Sequence, residues 1–102
     1  TTFTIQCITL RDVFSLCKIE KIDFLKIDCE GAEYEILLNA SKKDITRINK
    51  ISMEFHQIGK LRVSLLKKFL IKNSFIVDVI NSNNTIGMLY AKKRKASILW
   101  DQ

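Results

Sequence analysis

The sequence predicts one α/β domain in which parallel strands are followed by a C-terminal antiparallel hairpin. Short apolar runs alternate with helical patterns along the 102 residues, which is the order expected of an α/β fold. The last two strand-like runs, "FIVDVI" and "TIGMLYAK", are separated only by "NSNN" at 81–84, and a crossover helix does not fit in that space. Hydrophobic residues make up 47% and charged residues 27%, and these proportions indicate a globular chain.

The first predicted elements are a strand, a helix and a second strand. Residues 3–8, "FTIQCI", alternate as a strand does, and Thr9 is a candidate N-cap for a helix that ends near Cys17. The run "IDFLKID" at 22–28 is short, apolar and ended by polar residues, which favours a buried strand. Since Lys26 lies in the middle of that strand, it is expected to pair with Glu54 or Asp28.

The same order of elements then repeats. From Gly31 to about residue 40 the apolar side chains recur at helical intervals, and Tyr34 is expected to be a packed aromatic of this helix. The stretch "NKISMEFH" at 49–56 has a period of two, typical of a strand. The stretch "KLRVSLLKKFLIKN" at 60–73 predicts the next amphipathic helix, and Asn73 is its candidate C-terminal cap. The apolar stripe of that helix contains Leu61, Leu65, Leu66, Phe69 and Leu70.

Charge and cysteine content narrow the class of protein. The net charge is +6, but the run "KKRK" at 92–95 supplies much of it and is interpreted as a solvated end, with nucleic acid or an anionic surface as the lesser alternative. Cys7, Cys17 and Cys29 match no zinc or disulfide spacing, so reduced thiols and a cytoplasmic location are expected. No apolar run approaches the length of a membrane helix. The first residues resemble no signal peptide and suggest the interior of a longer product.

Four polar side chains follow the two central strands. Ligands bind at the carboxyl ends of strands in open α/β sheets, and adjacent parallel strands share one edge. We therefore expect Asp28, Glu30, Glu54 and His56 to converge there. Such a group could supply a general base or hold a divalent metal. In the alternative interpretation, Glu30 caps the helix, Glu54 pairs with Lys26 and His56 only closes a strand.

The segment "IDFLKIDCEGAEYEILLNA" with the later "ISMEFH" resembles the C-terminal half of the FkbM-type methyltransferases, and "TLRDVF" is similar to the "TLDDL" helix of that family. The resemblance covers about residues 9–56. It implies that Asp28, Glu30 and Glu33 correspond to the "D.EG.E" positions, and Glu54 and His56 to the family's "E.H". Cys29 stands where the family more often has Val.

The resemblance implies part of a Rossmann-like methyltransferase fold that uses S-adenosylmethionine. Residues 22–28 would be the fourth strand, 49–56 the fifth, and the hairpin the sixth and seventh. The family's glycine-rich cofactor turn is absent, because Gly31, Gly59 and Gly87 are far apart. The 102 residues therefore correspond to the C-terminal half of the fold, and the isolated chain is expected to be inactive.

The implied reaction is methyl transfer to a hydroxyl oxygen of a sugar or small natural product. Asp28 or His56 would accept the hydroxyl proton, and Glu30 and Glu54 would orient the acceptor. The strand at 22–28 would have a bare edge, which predicts either self-association along it or partial disorder. Two other classes stay open: a non-catalytic basic module that binds nucleic acid or protein, and a metal-dependent hydrolase. Nucleic acid and membrane are not expected as partners of the methyltransferase.

Overall fold

A computed structural model describes residues 2–5, 10–27, 32–57, 59–60 and 62–94. The strands are β1 Thr2–Ile5, β2 Ile22–Ile27, β3 Ile48–His56, β4 Phe75–Asn81 and β5 Ile86–Lys93. The helices are α1 Leu10–Cys17, α2 Glu33–Leu38, α3 Lys42–Ile45 and α4 Val63–Lys72.

The five strands form one mixed sheet in the order β1-β2-β3-β5-β4. Strands β1, β2 and β3 are parallel, whereas β5 pairs antiparallel with both β3 and β4. The mixed α/β class and the C-terminal hairpin are therefore confirmed. The two central strands are parallel neighbours, with Ile27 opposite Met53, so their carboxyl ends lie at the same edge of the sheet.

The core lies on one face of the sheet. Side chains that alternate along β2, β3 and β5, such as Leu25, Met53 and Leu89, are at most 1% exposed and pack in one cluster with the helices. The helices contribute Val13, Phe14, Tyr34, Ile36, Leu37, Ile45, Leu66 and Leu70 to this cluster. The shortest dimension of the molecule is 19 Å, which fits one sheet and one layer of helices about 10 Å apart.

The opposite side of the sheet, which we call the open face, corrects the expectation that 22–28 is a fully buried strand. Phe24 is 37% exposed and Lys26 is also exposed, because no helix of the described residues covers this side. Lys26 can therefore keep its ammonium in water without a charged partner. No ion pair joins Lys26 to Glu54 within the part of the chain that the structure describes.

The edge of β2 is occupied, contrary to the expectation of a bare edge at 22–28. Strand β1 pairs with it from Thr2 opposite Phe24 to Ile5 opposite Ile27. The short N-terminal strand was predicted at 3–8, but its pairing with β2 could not be inferred from the alternation of its residues alone. Self-association of the chain stays a prediction, and the outer strands of the described sheet are β1 and β4.

Local hydrogen bonds fix where α3 begins and where α4 ends. The helix predicted from Gly31 ends at Leu38, and α3 starts anew because the Ser41 hydroxyl accepts from the Asp44 N–H at 3.1 Å. Asn73 ends α4 as predicted, and its side-chain amide donates to the Phe69 carbonyl at 2.8 Å. The predicted cap Thr9 lies outside the described residues.

The basic run at 92–95 is not simply a solvated end. Lys92 and Lys93 belong to β5, and the Lys93 ammonium donates a hydrogen bond to the Thr46 carbonyl. The reason is that the hairpin continues beyond the apolar run and carries these lysines along the sheet. Arg47 also binds backbone carbonyls through its charged group: its guanidinium donates to the carbonyls of Ile19 and Glu20 at 2.8 and 2.6 Å.

The cysteine and membrane predictions are tested only in part. Cys17 is a free, exposed thiol, whereas Cys7 and Cys29 lie outside the described residues. Among the helices of the described ranges, none is both long and apolar enough to cross a bilayer. The cytoplasmic location stays a prediction.

Candidate active site

The candidate site is at the carboxyl end of β3. His56 is the last residue of this strand, and Glu54 precedes it by two positions. Since side chains two apart in a strand share a face, the two groups are neighbours, and His56 Nε2 lies 3.4 Å from Glu54 Oε1. Glu54 is about half exposed (47%) and the His56 side chain 14%, so this contact faces solvent.

A buried carboxylate from the first turn of α2 holds the other side of the histidine. Glu33 is fully buried (0% exposed), and its Oε1 accepts the backbone N–H of His56 at 2.6 Å. The same oxygen lies 3.0 Å from His56 Nδ1. One carboxylate oxygen therefore fixes both the end of β3 and the orientation of the imidazole ring.

These contacts determine which ring nitrogen is available for chemistry. An ionised carboxylate only accepts hydrogen bonds, so Nδ1 of His56 must donate its hydrogen to Glu33. In the neutral ring, Nε2 then has the free lone pair and lies on the accessible side beside Glu54. When Nε2 takes a proton, carboxylates on both sides stabilise the imidazolium.

Two buried polar atoms of α2 have no hydrogen-bond partner among the described residues. They are Glu33 Oε2 and the hydroxyl of Tyr34, whose ring is 3% exposed and packs in the core as predicted. Burial raises the pKa of Tyr34, the negative charge of Glu33 raises it further, and the positive charge of Arg62 lowers it. Arg62, the N-cap residue of α4, is therefore near enough for its positive charge to affect the Tyr34 hydroxyl.

A polar cavity begins at Gln57, the residue after His56, but Glu33, Glu54 and His56 themselves do not line it. It has a volume of about 510 Å³ and is lined by Gln57, Arg62, Val63, Asn81, Asn83 and Asn84. Gln57 follows His56 directly, and its backbone N–H donates to the Thr85 carbonyl at 2.7 Å. The Gln57 side-chain amide also holds the Asn84 carbonyl at 3.0 Å, which fixes the hairpin turn as one wall of the cavity.

The structure brings together two of the four predicted site residues. Glu54 and His56 are in contact, whereas Asp28 and Glu30 lie outside the described residues, and their roles stay predictions. Within the described ranges, no group of three His, Cys, Asp or Glu side chains is arranged to hold a metal ion.

Glu33 is the site residue whose role the sequence reasoning missed. It was placed among acids favoured at a helix start, and by resemblance at a "D.EG.E" position, but not beside the histidine. A signal was present: Glu33 precedes Leu37 by four residues and Ala40 by seven, and these spacings put it on the apolar stripe of the helix. An acid on such a stripe must find a buried partner.

The fold and the site define a mixed α/β protein with a histidine between two carboxylates at the carboxyl edge of parallel strands. The family model described as "Methyltransferase FkbM domain" matches residues 1–79. The chain therefore belongs to the FkbM methyltransferase domain family, and the match extends beyond residues 9–56 on both sides. Neither the curated proteins nor the solved structures contain a match.

Proposed function

We propose that this chain forms the acceptor-binding half of an S-adenosylmethionine-dependent methyltransferase that methylates a hydroxyl oxygen of a sugar or small natural product. The family supports methyl transfer in general. The observation that carries the specific proposal is the Glu33–His56–Glu54 contact at the carboxyl edge. A Rossmann-like sheet is part of the proposal, and parallel strands followed by a reversed hairpin support it.

His56 is the proposed general base. Glu33 holds the imidazole through Nδ1, which leaves Nε2 to accept the proton of the acceptor hydroxyl as the new bond to oxygen forms. The resulting imidazolium lies between Glu33 and Glu54, so its charge is compensated without movement of either side chain. Glu54 is exposed enough to contact the acceptor as well, which is the orienting role expected of it.

The polar cavity is the proposed acceptor subsite. Arg62 has an exposed side chain there, and the neighbouring carboxamides suit a molecule rich in hydroxyl groups. The Gln57 side chain already holds the Val63 N–H at 3.2 Å and the Asn84 carbonyl, so it shapes the cavity. Arg62 is therefore the side chain we expect to contact an acceptor.

S-adenosylmethionine would supply the methyl group from a site formed mainly outside these residues. Neither described glycine forms a cofactor cradle. A Cβ on Gly87 would lie 2.5 Å from the Ile80 carbonyl and from the Phe55 ring, so this glycine serves strand packing. Gly59 has a φ of +59° and open space around it, as in an ordinary turn. Neither of these two glycines supports a cofactor pocket in the described ranges, and the proposal assigns the described residues to the acceptor side of the reaction.

The expected loss of rate without His56 follows from the separate contributions of substrate alignment and of general-base catalysis to methyl transfer. Alignment of donor and acceptor can lower the barrier by about 7–11 kcal/mol, whereas a general base contributes about 10²–10⁴ in rate. Loss of the base should therefore slow the reaction strongly without abolishing it.

The test is His56→Ala in a protein that joins this chain to the cofactor-binding half. We expect kcat to fall by about 10²–10⁴ while the affinity for S-adenosylmethionine is unchanged, because the imidazole acts on the acceptor. Glu35→Ala is the matched control, since Glu35 is exposed on the same helix as Glu33. Loss of cofactor affinity in His56→Ala, or unchanged kcat, contradicts the proposed role.

A specific observation also supports the alternative of a basic binding module. A second cavity of about 490 Å³ at the opposite end of the sheet is lined by Lys21, Lys43, Arg47 and Lys93 together with Glu20, Thr46 and Asn49. Arg47 and Lys93 already donate to backbone carbonyls, which favours a structural role. Tight RNA or DNA binding that weakens steeply with salt and is lost in Lys21→Glu/Lys43→Glu is the result that supports this alternative.

A further inference from the structure

The polar cavity that begins at Gln57 has the size and the bracing of a small-molecule site. Its volume of about 510 Å³ lies within the range of about 300–1,000 Å³ that is typical of such sites. The Gln57 carboxamide is engaged at both ends, because its Oε1 accepts the Val63 N–H at 3.2 Å and its Nε2 donates to the Asn84 carbonyl at 3.0 Å. Gln57 therefore holds the start of α4 and the β4–β5 turn at a fixed separation.

The side chains of this cavity offer hydrogen-bond donors to a ligand. The Oδ1 of Asn83 already accepts from the Thr85 N–H, the Thr85 hydroxyl and the Ile86 N–H, at 2.8, 2.9 and 2.9 Å. Its amide nitrogen is therefore the part of this carboxamide that is left to bind a ligand. Arg62 is exposed, and its guanidinium has no hydrogen bond or ion pair within the described part of the chain.

Acidic side chains are missing from the segments that build the cavity. Residues 55–77 and 79–100 contain no Asp or Glu. Glu54 and Asp78 border these segments, and the residues on either side of each of them pack in the core cluster. Since side chains alternate along a strand, both acids belong to the open face of the sheet, opposite to the side on which α4 packs.

Glu33 is the other acid to consider, because Glu33 and Arg62 both act electrostatically on the Tyr34 hydroxyl. The Glu33 side chain is fully buried and its Oε1 binds His56. No ion pair joins Glu33 to Arg62 within the described residues. Among the described residues that line the cavity, Arg62 alone is charged, so the cavity has a positive charge that no acid of its lining balances.

We propose that the methyl acceptor carries a carboxylate, as a sugar acid does, and that Arg62 binds this carboxylate in the polar cavity. The planar guanidinium matches the two oxygens of a carboxylate, and the Asn83 amide adds a donor. Because Gln57 directly follows His56, the carboxylate and the reacting hydroxyl can belong to one molecule. This inference rests on the proposed function, since it names the class of that acceptor.

The single positive charge favours a carboxylate over a phosphate ester. A phosphate monoester carries a charge of about −1.5 to −2 at pH 7, whereas a carboxylate carries one negative charge. One guanidinium compensates the carboxylate fully, but it would leave part of the phosphate charge unbalanced in a region that also contains the carboxylates of Glu33 and Glu54.

The test is a titration of the ¹⁵N-labelled 102-residue chain with glucuronate, glucose and glucose 6-phosphate, followed through backbone amide shifts. We expect glucuronate to shift the amides of Gln57, Val63 and Asn83 and to bind at least about tenfold more tightly than glucose. This preference should shrink as salt rises. Glucose 6-phosphate should bind more weakly than glucuronate.

Variants locate the charge that is responsible. Arg62→Gln should bind glucuronate and glucose equally, whereas Arg62→Lys should keep part of the preference, because an ammonium keeps the charge but not the planar fork. Lys68→Gln is the matched control, since it removes an equal charge from an exposed position of α4 and should leave the preference unchanged. Arg62 is exposed, so the amide spectrum of Arg62→Gln should show a folded chain.

Several results overturn the proposal. These are equal binding of glucuronate and glucose by the parent, tightest binding of glucose 6-phosphate, a preference that survives Arg62→Gln, and a preference that Lys68→Gln removes. Loss of the preference when the chain is joined to the cofactor-binding half also overturns it, because Arg62 would then be paired within the whole protein. The titration needs no methyl transfer, so its failure is distinguishable from a failure of His56 as the general base.

Discussion

Glu33→Ala is the substitution that tests the site most directly through stability. In the parent, Glu33 Oε1 accepts two hydrogen bonds from His56, at 2.6 Å from the backbone N–H and 3.0 Å from Nδ1. Hydrogen bonds to a charged group contribute about 1.5–3 kcal/mol each, so about 3–6 kcal/mol is lost. The substitution also removes the buried Oε2, which has no partner in the part of the chain that the structure describes, and this offsets about 1–3 kcal/mol. The expected net loss is about 2–3 kcal/mol.

Urea unfolding followed by circular dichroism measures this loss. With a slope of about 1–3 kcal/mol per M, the midpoint of Glu33→Ala should fall by about 0.7–3 M. The matched control is Glu35→Ala on the exposed side of α2, and its free energy of unfolding should stay within about 0.5 kcal/mol of the parent. Equal midpoints for the two variants would refute the reasoning, because the hydrogen bonds of Glu33 to His56 would then not stabilise the fold.

A double-mutant cycle separates the two hydrogen bonds. His56→Ala removes the imidazole but keeps a backbone N–H at position 56, so Glu33 retains one of its two donors. The coupling energy between Glu33→Ala and His56→Ala should therefore report the Nδ1 contact alone, about 1–3 kcal/mol. A coupling energy near zero would show that the imidazole does not contact Glu33 in solution.

Three further predictions concern the residues around the site and the hairpin. Tyr34→Phe should keep or raise stability by up to about 1 kcal/mol, because the removed hydroxyl is buried and has no hydrogen-bond partner in the described ranges. A loss of more than about 1 kcal/mol would show that the hydroxyl has a partner. Because burial raises the folded-state pKa of Tyr34 above the ordinary 10.0, its ionisation leaves the free energy of unfolding unchanged below pH 10 and lowers it as pH rises from 10 through the folded-state value. Unfolding curves at pH 9 to 11 should show this loss in the parent and a smaller one in Tyr34→Phe, and equal losses contradict it. Gly87→Ala should lower the free energy of unfolding by more than about 2 kcal/mol, because the new Cβ would overlap with Phe55 and Ile80. Gly59→Ala should lower it by about 1 kcal/mol, because only backbone strain is introduced. Thermal unfolding of the two variants compares these losses.

The order of elements was readable from the sequence because each signal is local. The two-residue period of 49–56 predicted that Ile51, Met53 and Phe55 share a face, and all three are buried together. Asn73 predicted the end of α4 through a hydrogen bond to a carbonyl four residues earlier. Such features depend on neighbours along the chain, and sequence patterns record them well.

The exposure of β2 and the role of Glu33 were not predicted, because both depend on distant residues. Whether Phe24 is buried depends on what covers the second face of the sheet, and nothing in 22–28 encodes that. The contact of Glu33 with His56 joins residues 23 positions apart. The sequence brought Glu54 and His56 to one edge correctly, but only the crossover between β2 and β3 places the α2 carboxylate behind the imidazole.

The most direct measurement of the central claim is the tautomeric state of His56. The chain contains one histidine, so long-range ¹H–¹⁵N spectra of labelled protein report on this imidazole alone. We predict that the neutral ring carries its hydrogen on Nδ1, held by Glu33, and that Glu33→Ala shifts the proton toward Nε2. A neutral ring protonated on Nε2 in the parent would contradict a histidine whose Nε2 is free to accept the acceptor's proton.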